Sequence, residues 1–182
     1  MPKFPRIDDG FRDFIESQKV FFVATAAPSG RVNLAPKGMD TLRVVGSNRI
    51  VWLNLTGSEN ETAAHLIESS RMTLMWCSFE ARALILRAYG NAKVFHPRAR
   101  EWDTLITLFP PQPGARQILD LDVDLVMTSC GFGVPLFDYV GQRETLQRWG
   151  ESKGQQGILE FWAARNQLSI DERPTYIVSD PD

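Results

Sequence analysis

The sequence predicts a mainly β fold with peripheral helices, of α+β class, closed into a small antiparallel barrel. Three observations carry this. Six or seven short β-rich runs recur at close spacing, only one helical pattern interrupts them early, and the other long helical patterns gather toward the C-terminus. A doubly wound parallel sheet would need a helix between most successive strands, and this order does not supply one.

The elements follow in order. Asp8 or Asp9 caps a short helix in which Phe11, Phe14 and Ile15 share a face. Val20 to Ala26 is a strand, turned at Ala27-Pro28-Ser29-Gly30 into a second arm, Val32 to Ala35. Pro36 cannot donate to a ladder and Gly38 permits unusual dihedrals, so Pro36-Lys37-Gly38 is expected to break that strand and free its backbone. Leu42 to Val45 and Ile50 to Leu55 flank a turn at Gly46-Ser47-Asn48. Ile50, Trp52 and Asn54 share one face while Val51, Leu53 and Leu55 share the other, which predicts a strand covered on both sides.

Ser58 followed by Glu61 reads as a capping box, with Ala63, Leu66 and Ile67 as the apolar stripe of the helix it opens. Met72 to Phe79 and Leu84 to Phe95 are further strands, the second bent at Gly90. Pro97 opens a helix carrying Trp102, Leu105, Ile106 and Phe109, ended by Pro110 to Gly114. Asp120 to Thr128 alternates as a strand with one wet face. Helical patterns over Gln142 to Lys153 and Gln155 to Asn166 are separated by Gly154, and a polar, irregular tail runs from Ser169 to Asp182. Residues 1–140 are expected to form the barrel domain with its N-terminal helix, and 141–182 a helical appendage of the same domain.

Composition narrows the function. The chain has 182 residues with formal net charge −2, so no general field draws it to nucleic acid or an anionic membrane, and binding has to be local. Two cysteines build no disulfide framework, and Met1 to Asp13 lacks the apolar run of a signal peptide. A cytoplasmic, soluble protein is expected. His65, His96, Cys77 and Cys130 lack zinc-ligand spacing, so no metal site is expected, and Cys130, with no histidine near it in sequence to activate it, is expected to be a packed, inert cysteine rather than a nucleophile.

The stretch from Arg31 to Leu66 concentrates what remains. Strands supply a flat floor, a helix start supplies unpaired N–H groups with partial positive charge, and Lys37 supplies a full one. That combination suits a planar ligand carrying a phosphate, and flavin mononucleotide (FMN) is the ligand it best describes. Ser58, Asn60 and Thr62 serve either as plain helix capping or as phosphate or ribityl contacts, while Glu59 and Glu61 would repel a phosphate unless they point away. Lys37 is either an ordinary surface lysine or part of the site.

At these residues the chain resembles the pyridoxamine 5'-phosphate oxidase-like family of FMN-binding split barrels, in a branch distinct from the true oxidases. The segments concerned are Val32 to Gly38, Trp52 to Ser58, and Thr128 to Pro135. The resemblance implies an antiparallel FMN-binding split barrel and a homodimer with flavin at the interface. It also implies that Asn33, Leu34, Ala35, Pro36 and Lys37 line the ring, that Leu53 and Asn54 contact it, and that Ser58, Asn60 and Thr62 lie toward the phosphate. The true oxidases usually carry an Arg-Lys pair where this chain has Glu59 and Asn60, and a Gln where it has Ala83; Arg148-Trp149 is no stand-in for their substrate motif. These departures argue against vitamin B6 oxidation and leave Lys37, Arg116 or Arg143 to hold the phosphate. The implied activity is an oxidoreductase moving a hydride or electrons between FMN and a small molecule, with no side chain named as catalytic. A flavin- or haem-binding sensing module and an interaction domain with an empty cleft are the alternatives.

Overall fold

Residues 1–180 are described in the computed structural model. Pro181 and Asp182, the end of the expected irregular tail, lie outside them. The strands are β1 (Lys3–Phe4), β2 (Phe21–Thr25), β3 (Asn33–Lys37), β4 (Leu42–Gly46), β5 (Arg49–Leu55), β6 (Arg71–Cys77), β7 (Ile85–Phe95) and β8 (Ala115–Ser129). The helices are α1 (Asp9–Ser17), α2 (Glu61–Glu68), α3 (Trp102–Leu105) and α4 (Thr145–Arg165). All strand pairings are antiparallel, in the order β3-β2-β6-β7-β8-β5-β4, with β1 added along β8.

The long strands let the sheet curl. β8 has 15 residues and pairs with β7, β5 and β1, so it serves both halves of the sheet. β7 shifts register between Tyr89 and Gly90, where a Cβ would stand 1.9 Å from the Asp122 carbonyl oxygen. Only glycine lets the two backbones approach so closely at the bend. Inside the curl, Ile50, Trp52, Leu74, Trp76, Leu86, Leu119 and Leu121 form the main core. On the other face of β5, Val51 and Leu53 join Ile118, Leu105 and Phe109, with Trp102 and Ile106 packed against them. β5 is therefore covered on both sides, and the Pro97 segment supplies the cover, although its regular part is only α3 and a 3-10 turn at Ile106–Leu108.

Several expectations are corrected. The Ser58–Glu61 capping box does not form: α2 begins at Glu61, Asn60 is its N-cap without a side-chain cap bond, and Ser58 is exposed. Glu61 Oε1 instead accepts from the Ile170 N–H at 2.8 Å, so a contact distant in sequence overrides the local signal. The buried residues of α2 run from Glu61 to His65, and Leu66 packs against the main core as expected with Ala63, but Ile67 is 42% exposed. β3 continues through Pro36 and Lys37 because it is an edge strand, where proline is tolerated when its nitrogen faces away from the neighbouring strand. The positive φ falls not on Gly38 but on Met39, at 61°. β8 starts at Ala115 rather than Asp120, and α4 at Thr145 rather than Gln142.

α1 matches the expectation, with Asp8 accepting from the Phe11 N–H at 2.8 Å. Gly154 breaks α4 with φ 61°. The tail is irregular but packed, since Ser169, Thr175 and Ile177 are buried.

Candidate functional site

The end of β3, the loop after it and the end of β5 converge on a recess of about 190 Å³ lined by Pro36 to Met39, Thr41, Trp52 to Gly57 and Leu146. A wider cavity of about 620 Å³ adjoins it, sharing Pro36 to Met39 and Leu146 and adding Lys19, Val20, Gly141 to Arg143, Thr145 and Trp149. The turn between them is fixed locally. Thr41 Oγ1 donates to the Gly38 carbonyl at 2.9 Å, and the Leu53 N–H donates to the Thr41 carbonyl at 2.8 Å.

Lys37 stands at the junction. Its Nζ lies 5.5 Å from the ring centroid of the buried Trp52, and no ion pair holds it among the described residues. Burial, reinforced by the Arg116 charge and opposed by Glu59, brings its ammonium down to about 8. Arg116 is 2% exposed and lowered by burial to about 10. Its Nη1 donates to Asn166 Oδ1 at 2.8 Å and reaches the Gly57 carbonyl at 3.5 Å, while its Nε is buried without a partner. Two cations thus share one small region of a chain whose net charge is negative.

The turn from Gly57 to Asn60 completes the region. Among the described residues the N–H groups of Gly57, Ser58 and Glu59 have no acceptor, and the first N–H groups of α2 follow them. Such a run beside two cations is a place where a phosphate is stabilised by backbone dipoles and full charges together.

Of the sequence-predicted residues, Pro36, Lys37, Leu53 and Asn54 line the recess, and Ser58 is exposed on the turn just beyond it. The Leu53 side chain itself packs in the core of the other β5 face. Asn54 donates to Gln117 Oε1 at 3.1 Å, which leaves its own Oδ1 buried and unpartnered. Leu34 is 65% exposed and Ala35 half-buried on the β3 edge.

Asn33 and Thr62 belong to a separate buried network. Asn33 Nδ2 donates to Thr25 Oγ1 and Thr62 Oγ1, both at 3.1 Å, and Thr25 Oγ1 bonds His65 Nδ1 at 3.1 Å. Asn60 is buried with its Nδ2 on the Asn166 carbonyl at 3.2 Å. Sequence reasoning missed Asn166, Trp162 and Met39 at this region. Nothing local marks Asn166, which reaches the turn only through tertiary contact. A separate groove of about 410 Å³, lined by Ala24 to Ala26, Arg71 to Thr73 and Tyr89 to Asn91 among others, holds none of the predicted residues.

An antiparallel sheet that curls on itself, with helices at its periphery, is a split-barrel architecture, and here it carries a cationic recess at one strand end. Residues 7–130 match the family described as pyridoxamine 5'-phosphate oxidase, and the chain belongs to that family. It is 35% identical over 144 residues to the pyridoxamine 5'-phosphate oxidase family protein ustO of Aspergillus flavus, an alignment covering 76% of this chain and 58% of that protein. The chain therefore spans less than two-thirds of that relative's length. Among solved structures, a candidate pyridoxamine 5'-phosphate oxidase from Lactobacillus delbrueckii superposes with TM-score 0.57 at 15% identity, over 70% of this chain and 99% of that one. HupZ of Group A Streptococcus gives 0.55 at 15% identity, over 68% of this chain and 94% of that one. At such identities the likeness is one of fold.

Proposed function

We propose that the chain binds FMN and moves a hydride or electrons between the flavin and a small molecule, as a cytoplasmic homodimer. The observation that carries this reading is Lys37, a cation held partly desolvated beside Arg116 at the mouth of a recess, with unpaired N–H groups next to it. A charge in such a place is unfavourable until an anion arrives, and the donor set fits a phosphate. The recess alone is small, but with the adjoining cavity it offers room for a ring system against Pro36 and Trp52.

The flavin, when bound, supplies the redox chemistry. The chain's part is to hold the phosphate with Lys37, Arg116 and the Gly57–Asn60 turn, and to shape access with the segment from Gly141 to Trp149. No residue is needed as a nucleophile: Cys77 is buried with its thiol pushed up by burial, while Cys130, expected to be packed, is exposed because it opens the loop after β8.

The dimer is supported by uncovered apolar surface. Val32 and Leu34 on the β3 edge are 72% and 65% exposed, and the segment after Cys130 exposes Phe132, Leu136, Phe137, Tyr139 and Val140. Tyr139 of this segment lies under Lys19, which lines the wider cavity, so a second copy covering the segment would stand beside that cavity.

The test is an absorbance spectrum from 300 to 600 nm of the freshly purified protein, with mass analysis of whatever denaturation releases. Flavin bands with released FMN are expected, and bleaching by a reduced nicotinamide would show turnover. A Soret band would move the reading to haem. No chromophore, even after FMN is added, would overturn it.

A further inference from the structure

Beyond the cofactor site itself, we infer that Asn166, at the end of α4, is a positioning residue that holds the Gly57–Asn60 turn in its anion-receiving shape. This rests on the proposal that the turn receives the FMN phosphate. Asn166 lies more than 100 residues from the turn in sequence, is fully buried, and is engaged at every polar group of its side chain. Its Nδ2 donates to the Gly57 carbonyl at 3.1 Å and to the Ser58 carbonyl at 3.4 Å. Its Oδ1 accepts from Arg116 at 2.8 Å, and its backbone carbonyl accepts from Asn60 Nδ2 at 3.2 Å and Thr175 Oγ1 at 2.6 Å.

One side chain therefore engages two successive carbonyls of the turn and orients the buried arginine beside it. Carbonyls engaged from the protein side leave the intervening peptide N–H groups, which have no acceptor among the described residues, free for a ligand. The same C-terminal segment reinforces the arrangement. Ile170 N–H donates to Glu61, which draws that carboxylate away from the turn, and Trp162 Nε1 donates to Thr56 Oγ1 at 2.8 Å just before it. A free Glu61 carboxylate would oppose an anion at this helix start, and its engagement by Ile170 weakens that opposition without removing the charge.

The experiment compares the full chain with Asn166→Ala, Asn166→Asp and Thr175→Val, titrating each with FMN and with riboflavin well below its melting temperature. Thr175→Val removes an equally buried bond to Asn166 but touches nothing in the turn, so it reports a purely structural loss. Asn166→Ala is expected to weaken FMN by about tenfold, the size of one well-placed hydrogen bond, while riboflavin, which lacks the phosphate, is unchanged. Asn166→Asp keeps the shape and the Arg116 acceptor but loses the donor and adds a negative charge that disfavours the phosphate by itself. Where alanine does not fold, it is therefore the turn amide resonances of Asn166→Asp that decide, shifted and broadened if Asn166 holds the turn and unmoved if it does not. Thr175→Val should lower the melting temperature and leave the FMN-to-riboflavin ratio alone.

Equal weakening of both ligands, or none, would overturn the inference. If the wild-type chain binds neither flavin, the proposed function fails by itself. The amide resonances of Gly57 to Asn60 in the ligand-free protein then decide the role of Asn166, being shifted and broadened in Asn166→Ala if it holds the turn and unmoved if it does not.

Discussion

Lys37 gives the sharpest prediction, because its charge state is tied to ligand binding. In the ligand-free chain its ammonium is brought from 10.5 to about 8, by burial first and by Arg116 second. A phosphate bound beside it would return it toward the ordinary value, so binding takes up a proton wherever the free lysine has lost one. At pH 7 the lysine is almost fully charged and the effect is absent. At pH 9 about nine-tenths of the free form is neutral, and the affinity for FMN should be about tenfold weaker than at pH 7. The phosphate is already a dianion throughout, its second ionisation lying near pH ~6, so the slope belongs to the protein.

The assay is quenching of flavin fluorescence on titration at the two pH values, with Lys37→Met alongside. The variant should bind FMN more weakly at pH 7 and show no slope between pH 7 and 9. A wild-type affinity independent of pH over that range, or the same slope in Lys37→Met, would refute the reasoning. Stability supplies a cross-check. The folded value lies below the unfolded one, so between pH 8 and 10.5 the unfolded chain holds more protons, and stability rises with pH across that window. Lys37→Met should therefore stabilise the ligand-free chain at pH 7, by at most ~3 kcal/mol and by less in proportion to the lysine's residual exposure.

Three further outcomes are expected. Gly90→Ala should destabilise the chain by more than about 2 kcal/mol in urea denaturation, because its Cβ would sit 1.9 Å from the Asp122 carbonyl oxygen and both backbones would have to shift. His96 is lowered to about 4 by burial, with Arg98 and Arg116 adding and Asp180 opposing. Its share of stability is present above pH 6.5 and is lost as pH falls toward 4, so His96→Gln should flatten the acid limb of a melting-temperature profile. Leu34→Glu on the exposed β3 edge should change monomer stability by less than about 0.5 kcal/mol yet shift sedimentation from dimer to monomer; an unchanged dimer would place the interface elsewhere.

What is legible in the sequence follows from the range of the interactions concerned. β5 is readable because alternation of Ile50, Trp52 and Asn54 with Val51, Leu53 and Leu55 is a local pattern, and the structure covers both faces as that pattern requires. Gly90 is readable because an isolated glycine in a long strand has few other uses. The start of α2 misleads for the opposite reason. Ser58 and Glu61 offer each other good local partners, but the Ile170 N–H claims the Glu61 carboxylate, and that distant competitor is not visible within a short window. Pro36 misleads because its cost depends on whether the strand is an edge, which is a property of topology.

Within the site the two cations differ in what they imply. Arg116 has a structural use, since Asn166 accepts from it and the Gly57 carbonyl lies at the limit of its reach. A buried arginine with such a partner is explained by the fold, apart from its unpartnered Nε. Lys37 has no such use. It forms no ion pair among the described residues, its contact with Trp52 at 5.5 Å recovers only about 1 kcal/mol, and a methionine of similar length would fill the same space without the desolvation penalty. A charge that the fold does not need, placed where a cavity, an open turn and a second cation meet, is stabilised only by something outside the ligand-free chain. That is why the anion-binding reading stands on Lys37 rather than on the helix start, whose open N–H groups every helix possesses.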